Sequence, residues 1–386
     1  MADRIRVAVV TTTRAEFHIL EPLLGALEHD SRFSLQLIVS GTHLSKAHGS
    51  TINDVRCRFP DLVTIDAQFE SSDPEALVNS AALLSKGVAA HLRSRTPDLL
   101  VVLGDRFELL SVAQAALLLG IPIAHLHGGE TTLGAIDDLV RNALTQLASL
   151  HLVAADVFAE RVLALGAEPN SVHVVGALGV EAALANCSDD RADALWATGL
   201  PEGPYVVVAL HPETRGTNTI HDLFESVKGA LEHFPDLGVV VTRPNTDVGG
   251  DELASLLKTW SKQRPRTVFI DSLGQHFATV VGHAEATIGN SSSGIIEAPA
   301  LGTTTIDIGS RQSGRPCASS VVRVGANALD VRRALESSLR DPSVTSDLAY
   351  LGAGTAVRIC DVLAGFASQR SRRVHDDVLP HTPSTL

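Results

Sequence analysis

The stretch "DLLVVLGDRFELLSVAQAALLLGIPIAHLHGGE", Asp98 to Glu130, decides the fold. Two apolar runs, "DLLVVLGD" and "IPIAHLHGG", read as short strands buried on both faces, and "SVAQAALLLG" between them is made of helix formers. A strand, a helix and a second strand in that order form a crossover, and a crossover makes the two strands parallel. Both runs end in polar, glycine-containing turns: Gly104-Asp105-Arg106 after the first and His127-Gly128-Gly129-Glu130 after the second. Open parallel sheets hold their ligand crevices at the carboxyl ends of the strands, so these turns are the first candidates for a site.

The same unit recurs on either side. "IRVAVVTTT", "SLQLIVSG", "LHLVAA" and "VHVVGA" read as further strands, with helical stretches such as "LEPLLGALEHD" and "ALVNSAALLSKGVAAHLRSR" between them. After a looser segment, "ALANCSDDRADALWATGLPEGP", the pattern restarts with "YVVVALHP", "LGVVVTRP", "TVFIDS", "ATIGNSSSG" and "TTTIDIG". A chain of 386 residues suits two domains of about 180 residues each. The expected organisation is α/β: a Rossmann-like domain over 1–180, a linker over 181–204, a second Rossmann-like domain over 205–365 and a loose tail over 366–386. The two sheets face a central cleft.

Composition excludes several classes. Only 4% of residues are aromatic against 45% hydrophobic, which favours short strands and helices over a β-sandwich. The net charge of −13, without a Lys/Arg run, argues against a nucleic-acid surface. Cys57, Cys187, Cys317 and Cys360 are widely spaced and read as reduced, mostly buried thiols, with neither a disulfide framework nor zinc spacing. No Gly-x-Gly-x-x-Gly turn with its ribose-binding acid is present, so no cofactor or metal is expected. The N-terminus enters a strand at once, and no apolar run approaches about 18 residues, so no membrane partner and a soluble, cytoplasmic protein are expected.

Polar residues gather at the predicted strand ends. "IGNSSSGIIE" places Ser291, Ser292 and Ser293 before a helix opening at about Gly294, where backbone N–H groups and the helix dipole favour an anion such as a diphosphate. Glu297, one turn further, could take the hydroxyls of an adjoining ribose; the alternative is an ordinary capped helix. Arg243 and Asn245 in "RPN", and Arg311 and Arg315 in "RQSGR", are further candidate phosphate or nucleotide ligands, as is Arg14 after the first strand. Asp105, Asp137 and Asp138 put carboxylates around one cleft, as general acid/base steps require. Plainer readings stay open: an Asp105–Arg106 ion pair, an Asp138–Arg141 surface pair, Glu130 as a turn cap, and His127 or His211 as buried histidines satisfied by backbone.

The ordered set "TTTRAEF", "GDRFELL", "HLHGGE", "GAIDDLVRNALTQLASLHLVAA", "HPET", "RPN" and "IGNSSSGIIEAPALGTTTIDIGSRQSGR" resembles the hydrolysing UDP-N-acetylglucosamine 2-epimerases over roughly residues 4–365. The resemblance implies a GT-B type fold, with UDP held mainly by the C-terminal domain and the sugar facing the N-terminal one. It implies abstraction of the C2 proton of a UDP-sugar, loss of UDP through a 2-acetamidoglucal, and hydration to the free 2-epimer. Asp105 and the Asp137/Asp138 pair become acid/base candidates, and His211 and Arg14 become stabilisers of the phosphates and leaving group. Ser291 to Ser293 with Glu297 bind phosphate and ribose. His127 stands where some relatives carry an acid/base glutamate, which leaves His127 or Glu130 for that work. The family also implies a homodimer or homotetramer built through the N-terminal domain. Rival readings are a non-hydrolysing epimerase, a GT-B glycosyltransferase and a silent UDP-sugar-binding protein.

Overall fold

The computed structural model describes residues 4–45, 50–70, 73–132, 136–213, 217–244, 249–340 and 348–378, with side chains as far as residue 370. Valine-rich runs that alternate with amphipathic helices form two separate parallel sheets. The first comprises β1 (Ile5–Thr11), β2 (Phe33–Val39), β3 (Leu62–Thr64), β4 (Leu99–Leu103), β5 (Ile123–Leu126), β6 (Leu150–Val153) and β7 (Val172–Val174). Their order is β3-β2-β1-β4-β5-β6-β7. The second comprises β8 (Tyr205–Ala209), β9 (Gly238–Thr242), β10 (Thr267–Ile270), β11 (Ala286–Gly289), β12 (Thr305–Ile308) and β13 (Val321–Val324), in the order β10-β9-β8-β11-β12-β13.

Each order reverses once. In the first sheet Val7 of β1 lies opposite Leu35 on one side and Leu99 on the other. In the second, Val206 of β8 lies opposite Val239 and Ala286. Helices leaving the central strands go to opposite faces at such a reversal, and the chain ends there splay into a crevice. The motifs after β1 and β4 therefore open beside one another, and so do those after β8 and β11.

Apolar side chains cover both faces of each sheet. Phe17, Leu20, Leu23 and Leu24 of helix Arg14–His29 pack on Val7 and Val9, while Leu84, Val88, Val112 and Leu144 from three other helices cover Val102 and Ala8. Fully burying a leucine or phenylalanine contributes about 1.5 to 3 kcal/mol, so these stripes fix which way each helix faces. The second sheet is clad in the same way by Leu223, Leu253 and Leu335 on one face and Ala194, Val280 and Ala298 on the other.

Three expectations need correction. The segment 181–204 carries ordered helix: Leu178–Asn186 touches helices of both domains, and Arg191–Thr198 starts where the Asp190 side chain accepts from the Ala192 N–H and stops at left-handed Gly199. The tail from residue 366 is not loose from its start, because helix Thr355–Val378 runs through it. That helix returns to the first sheet, where Ala356, Ile359, Cys360 and Leu363 join the core beside helix Arg14–His29. Of the four cysteines, all free, only Cys360 is buried and Cys57 is exposed. Among the described residues, no helix is long and apolar enough to cross a membrane.

Candidate functional site

A cleft of about 1250 Å³ lies between the carboxyl ends of the two sheets. Its N-terminal wall includes Arg14, Asp105, His127, Glu130 and Asp137, and its C-terminal wall includes His211, Arg243, Arg311 and Arg315. Ser291, Ser292, Ser293, Gly294 and Glu297 line it too. Asp138 is not among the lining residues; its Oδ1 accepts from the Thr132 N–H at 2.9 Å and so ties down the turn after β5. Asn245 lies outside the described residues.

At the end of β4, Asp105 pairs with Arg141, while its neighbour Arg106 bonds Glu108 at 2.8 Å. Arg141 is only 2% exposed and also donates to the Glu130 carbonyl and the Thr132 hydroxyl, at 2.8 and 3.1 Å. Asp138 and Arg141 do form the i, i+3 ion pair, at 4.0 Å, but with the guanidinium inside the protein rather than at the surface.

The turn after β5 is tight. His127 has φ 62° and Gly129 φ 75°, and a Cβ on Gly129 would overlap the Phe158 carbonyl. This backbone turns the His127 ring back onto Glu130, Nδ1 to Oε1 at 2.6 Å, and the other Glu130 oxygen accepts from Arg315 at 2.9 Å. Burial pushes the Glu130 carboxyl up, but Arg315 and then His127 outweigh it and hold the group below the usual carboxylate range. Both Glu130 oxygens are occupied, whereas His127 Nε2 has no hydrogen-bond partner among the described residues. The arrangement presents the imidazole and uses the carboxylate to orient it.

In the C-terminal domain, helix Ser292–Ala300 begins two residues before the expected Gly294. Its N-cap, Ser291, makes no side-chain capping bond; its hydroxyl meets that of Ser293 at 2.9 Å. The serine hydroxyls thus leave the Ser292 and Ser293 N–H groups without a side-chain cap, while the Gly294 N–H donates to the Ser291 carbonyl at 3.2 Å, and this favours the anion reading over the ordinary cap. Gly289 at the end of β11 has φ 149°, and a Cβ there would run into the Ala209 carbonyl, so only glycine lets β11 end this close to β8. Glu297 is buried, with one oxygen against Gly179 and Oε2 without a hydrogen-bond partner, and burial pushes its carboxyl up to about 7. A desolvated carboxylate with an open oxygen suits hydroxyl donors such as those of a ribose.

His211 is buried, and its backbone N–H and C=O are both bonded by the Asn290 amide, at 2.7 and 2.8 Å. Burial and then Arg311 push its imidazole down to about 3, so at neutral pH the ring is uncharged. Arg243 is exposed and already pairs with Asp271 and Asp251, at 3.1 and 3.5 Å. Arg14 stands 4.0 Å from Asp54.

Sequence reasoning passed over several groups. Glu16 caps its own helix through Thr13, is buried beside the cleft, and is pushed up to about 7 by burial. Asn290 and Glu213 lock the loops together: Glu213 accepts from the Ser310 and Arg311 N–H groups at 2.7 and 3.1 Å. The signal for Arg141 was its position one residue after Val140 and three before Leu144, on the buried stripe of its helix.

The sequence model of the UDP-N-acetylglucosamine 2-epimerase family matches residues 25–364. The chain is 32% identical to the GDP/UDP-N,N'-diacetylbacillosamine 2-epimerase (hydrolyzing) of Campylobacter jejuni, over 84% of its own length and 85% of that protein. It is 29% identical to polysialic acid biosynthesis protein P7 of Escherichia coli, over 96% of both chains. Among solved structures, the UDP-GlcNAc 2-epimerase from Neisseria meningitidis bound to UDP-GlcNAc matches with a TM-score of 0.79 at 14% identity, covering 94% of this chain and 100% of that one. The fold is of the GT-B type.

Proposed function

Since the chain belongs to the UDP-N-acetylglucosamine 2-epimerase family, we propose that it is of the hydrolysing kind, turning a UDP-2-acetamido sugar and water into UDP and the free 2-epimer. The observation that carries the reading is a single cleft with Asp105 and His127 on the wall of one domain and the uncapped Ser291–Ser293 helix start on the wall of the other. The name of the Campylobacter jejuni relative supports the hydrolysing outcome. The diphosphate lies at the helix start with Arg311 and neutral His211, and the ribose hydroxyls go to Glu297. The sugar then extends toward β4 and β5.

Chemically, an acid/base group takes the C2 proton while the C1–O bond to UDP breaks, leaving a C1–C2 double bond. Donors at the diphosphate stabilise the departing oxygen, which is where charge develops. Water then adds its oxygen to C1, and C2 receives a proton on the opposite face. Asp105 and His127 divide the proton transfers, with Asp137 at the rim. Glu130 orients His127, and Arg141 orients Asp105. The substrate is UDP-N-acetylglucosamine or a 4-amino-6-deoxy relative.

The test is incubation with UDP-N-acetylglucosamine, and separately with UDP-N,N'-diacetylbacillosamine, in deuterated water, followed by NMR. UDP and a free 2-epimer carrying deuterium at C2 are expected from one of them. Recovery of an epimerised UDP-sugar would make the enzyme non-hydrolysing. Turnover only with an added acceptor would make it a transferase, and binding alone a silent UDP-sugar binder.

A further inference from the structure

Arg315 belongs to the C-terminal domain, on the loop between β12 and β13, yet the hydrogen bonds of its side chain are made to the other domain. Nε donates to the Thr131 carbonyl at 3.0 Å, and Nη2 reaches Glu130 Oε2 at 2.9 Å and the Thr132 hydroxyl at 3.5 Å. The side chain is 5% exposed and Glu130 3%, so the ion pair is dry and little screened. Neighbouring contacts fasten the same loop: Arg161 donates to the Gly314 carbonyl at 3.0 Å and the Thr131 hydroxyl to the Ser313 carbonyl at 3.3 Å. A residue expected to hold phosphate is thus engaged by the carboxylate that orients His127.

We infer that Arg315 is a positioning residue: it reaches across the cleft to fix the Glu130–His127 pair, so that the pair is set only while the two domains are closed on each other. The inference rests on the proposed acid/base use of His127. Its physical basis is that Glu130 has two oxygens and two partners, one from each domain. Opening the cleft removes Arg315, leaves one oxygen of a buried carboxylate unpaired, and frees the ring from a fixed orientation. The other charged or titratable groups around Glu130, among the described residues, include His127 and His125 at its own strand end, Arg141 from helix Asp137–Leu147, Glu297 from helix Ser292–Ala300, Tyr350, and Arg161 from helix Asp156–Ala164, whose guanidinium is taken up by the flanking Gly129 carbonyl and Thr131 hydroxyl and by the Gly314 carbonyl. None of these is a cation able to stand in for Arg315, because Arg141 is held by Asp105 and the Glu130 carbonyl.

The experiment compares Arg315→Met and Arg315→Lys with the parent in the full chain. The first readout needs no substrate: the Glu130 side-chain carboxyl, followed by carbon NMR in glutamate-labelled protein, should titrate about one pH unit or more higher in Arg315→Met, since an opposite charge has been removed. In the second, kcat should fall by up to about 100-fold with KM and UDP affinity held, and the acidic limb of the rate profile should move upward. Arg315→Lys should lie between, because a lysine keeps the charge without the fork that also reaches the Thr131 carbonyl. If Arg315→Met does not fold, the lysine variant carries the test alone through the same titration and kcat. An unmoved Glu130 titration overturns the inference. So does a loss of UDP affinity of about tenfold or more with kcat unchanged, which would return Arg315 to the diphosphate. Because the titration is read on the free protein, it stands or falls separately from the identity of the reaction.

Discussion

Arg141 and Asp105, 36 residues apart in the chain, meet as an ion pair at the cleft wall, and the guanidinium is the more buried of the two. The pair joins the end of β4 to helix Asp137–Leu147, so the position of the carboxylate proposed for acid/base work is set by a residue in a different βα unit. Two roles of Asp105 are separable by substitution. Asp105→Asn keeps an oxygen acceptor for Arg141, whereas Asp105→Ala leaves that side of the guanidinium open. Asp105→Ala should lose about 1.5 to 3 kcal/mol in denaturant unfolding, the worth of a hydrogen bond to a charged group, and Asp105→Asn clearly less. Both should slow UDP release by about 100-fold or more, because neither can carry the proton. An Asp105→Asn enzyme with most of its turnover would pass the C2 proton to His127.

The serines give a second contrast between stability and binding. Removing a true N-cap hydroxyl costs about 1 kcal/mol of stability. Since Ser291 makes no side-chain capping bond and Ser292 is already inside the helix, Ser292→Ala and Ser293→Ala should leave the unfolding midpoint almost unchanged. Each should weaken UDP binding, by about 1.5 to 3 kcal/mol per lost charge-assisted hydrogen bond. Calorimetry with UDP beside a thermal melt decides it: a lower midpoint with intact affinity would restore the capping role.

Much of this was legible in the chain because the two periodicities are strong. The valine-rich runs of β1, β4, β8 and β9 are buried on both faces, and only a parallel sheet asks for that. The edge strands β3 and β13, three and four residues long and half exposed, escaped notice, whereas the equally short edge strand β7 was legible because its run continues into buried Val175 and Ala177. The motif positions were readable from their place after strands. What a linear reading could not supply was partner choice: Asp105 has Arg106 beside it in sequence but takes Arg141, and Arg315 sits in a phosphate-like loop but takes Glu130. Such choices depend on which loops the reversal in strand order brings together. The helix Thr355–Val378 was lost for a similar reason, since its apolar stripe at Ala356, Ile359, Cys360 and Leu363 lies ahead of the polar segment that marked the tail as loose.

Assembly is open to a direct measurement. Helices Pro74–Ser94, Glu108–Leu118 and Asp137–Leu147 lie together over one face of the first sheet, and Val78, Leu118 and Leu139 on them are exposed by 69%, 78% and 57%. Apolar side chains in that number on neighbouring helices suit burial against a second copy of the chain. Light scattering at micromolar concentration should return at least a dimer mass, and Leu118→Glu should shift it toward the monomer with the melt unchanged. A monomer mass for the parent chain would end this expectation.

Glu297 supplies a prediction whose sign is fixed. Its carboxyl is pushed up to about 7 by burial, so the folded protein holds this proton more tightly than the unfolded chain does. Wild-type stability should therefore decline as pH rises from the ordinary carboxylate range through 7, and Glu297→Gln, which cannot ionise there, should show a shallower decline, because the raised carboxyls of Glu16 and Asp307 keep their share of it. Ligand binding works the other way. Hydroxyl donors from a ribose favour the ionised form, so UDP should release a proton from Glu297 as it binds, and its affinity should fall as pH drops below 7. Calorimetry at pH 6.5 in buffers of different ionisation enthalpy measures the released proton. The UDP β-phosphate contributes equally in both proteins, so the difference between wild type and Glu297→Gln isolates the carboxyl. Equal proton release by the two would take the ribose away from Glu297 and leave it as a buried acid facing Gly179.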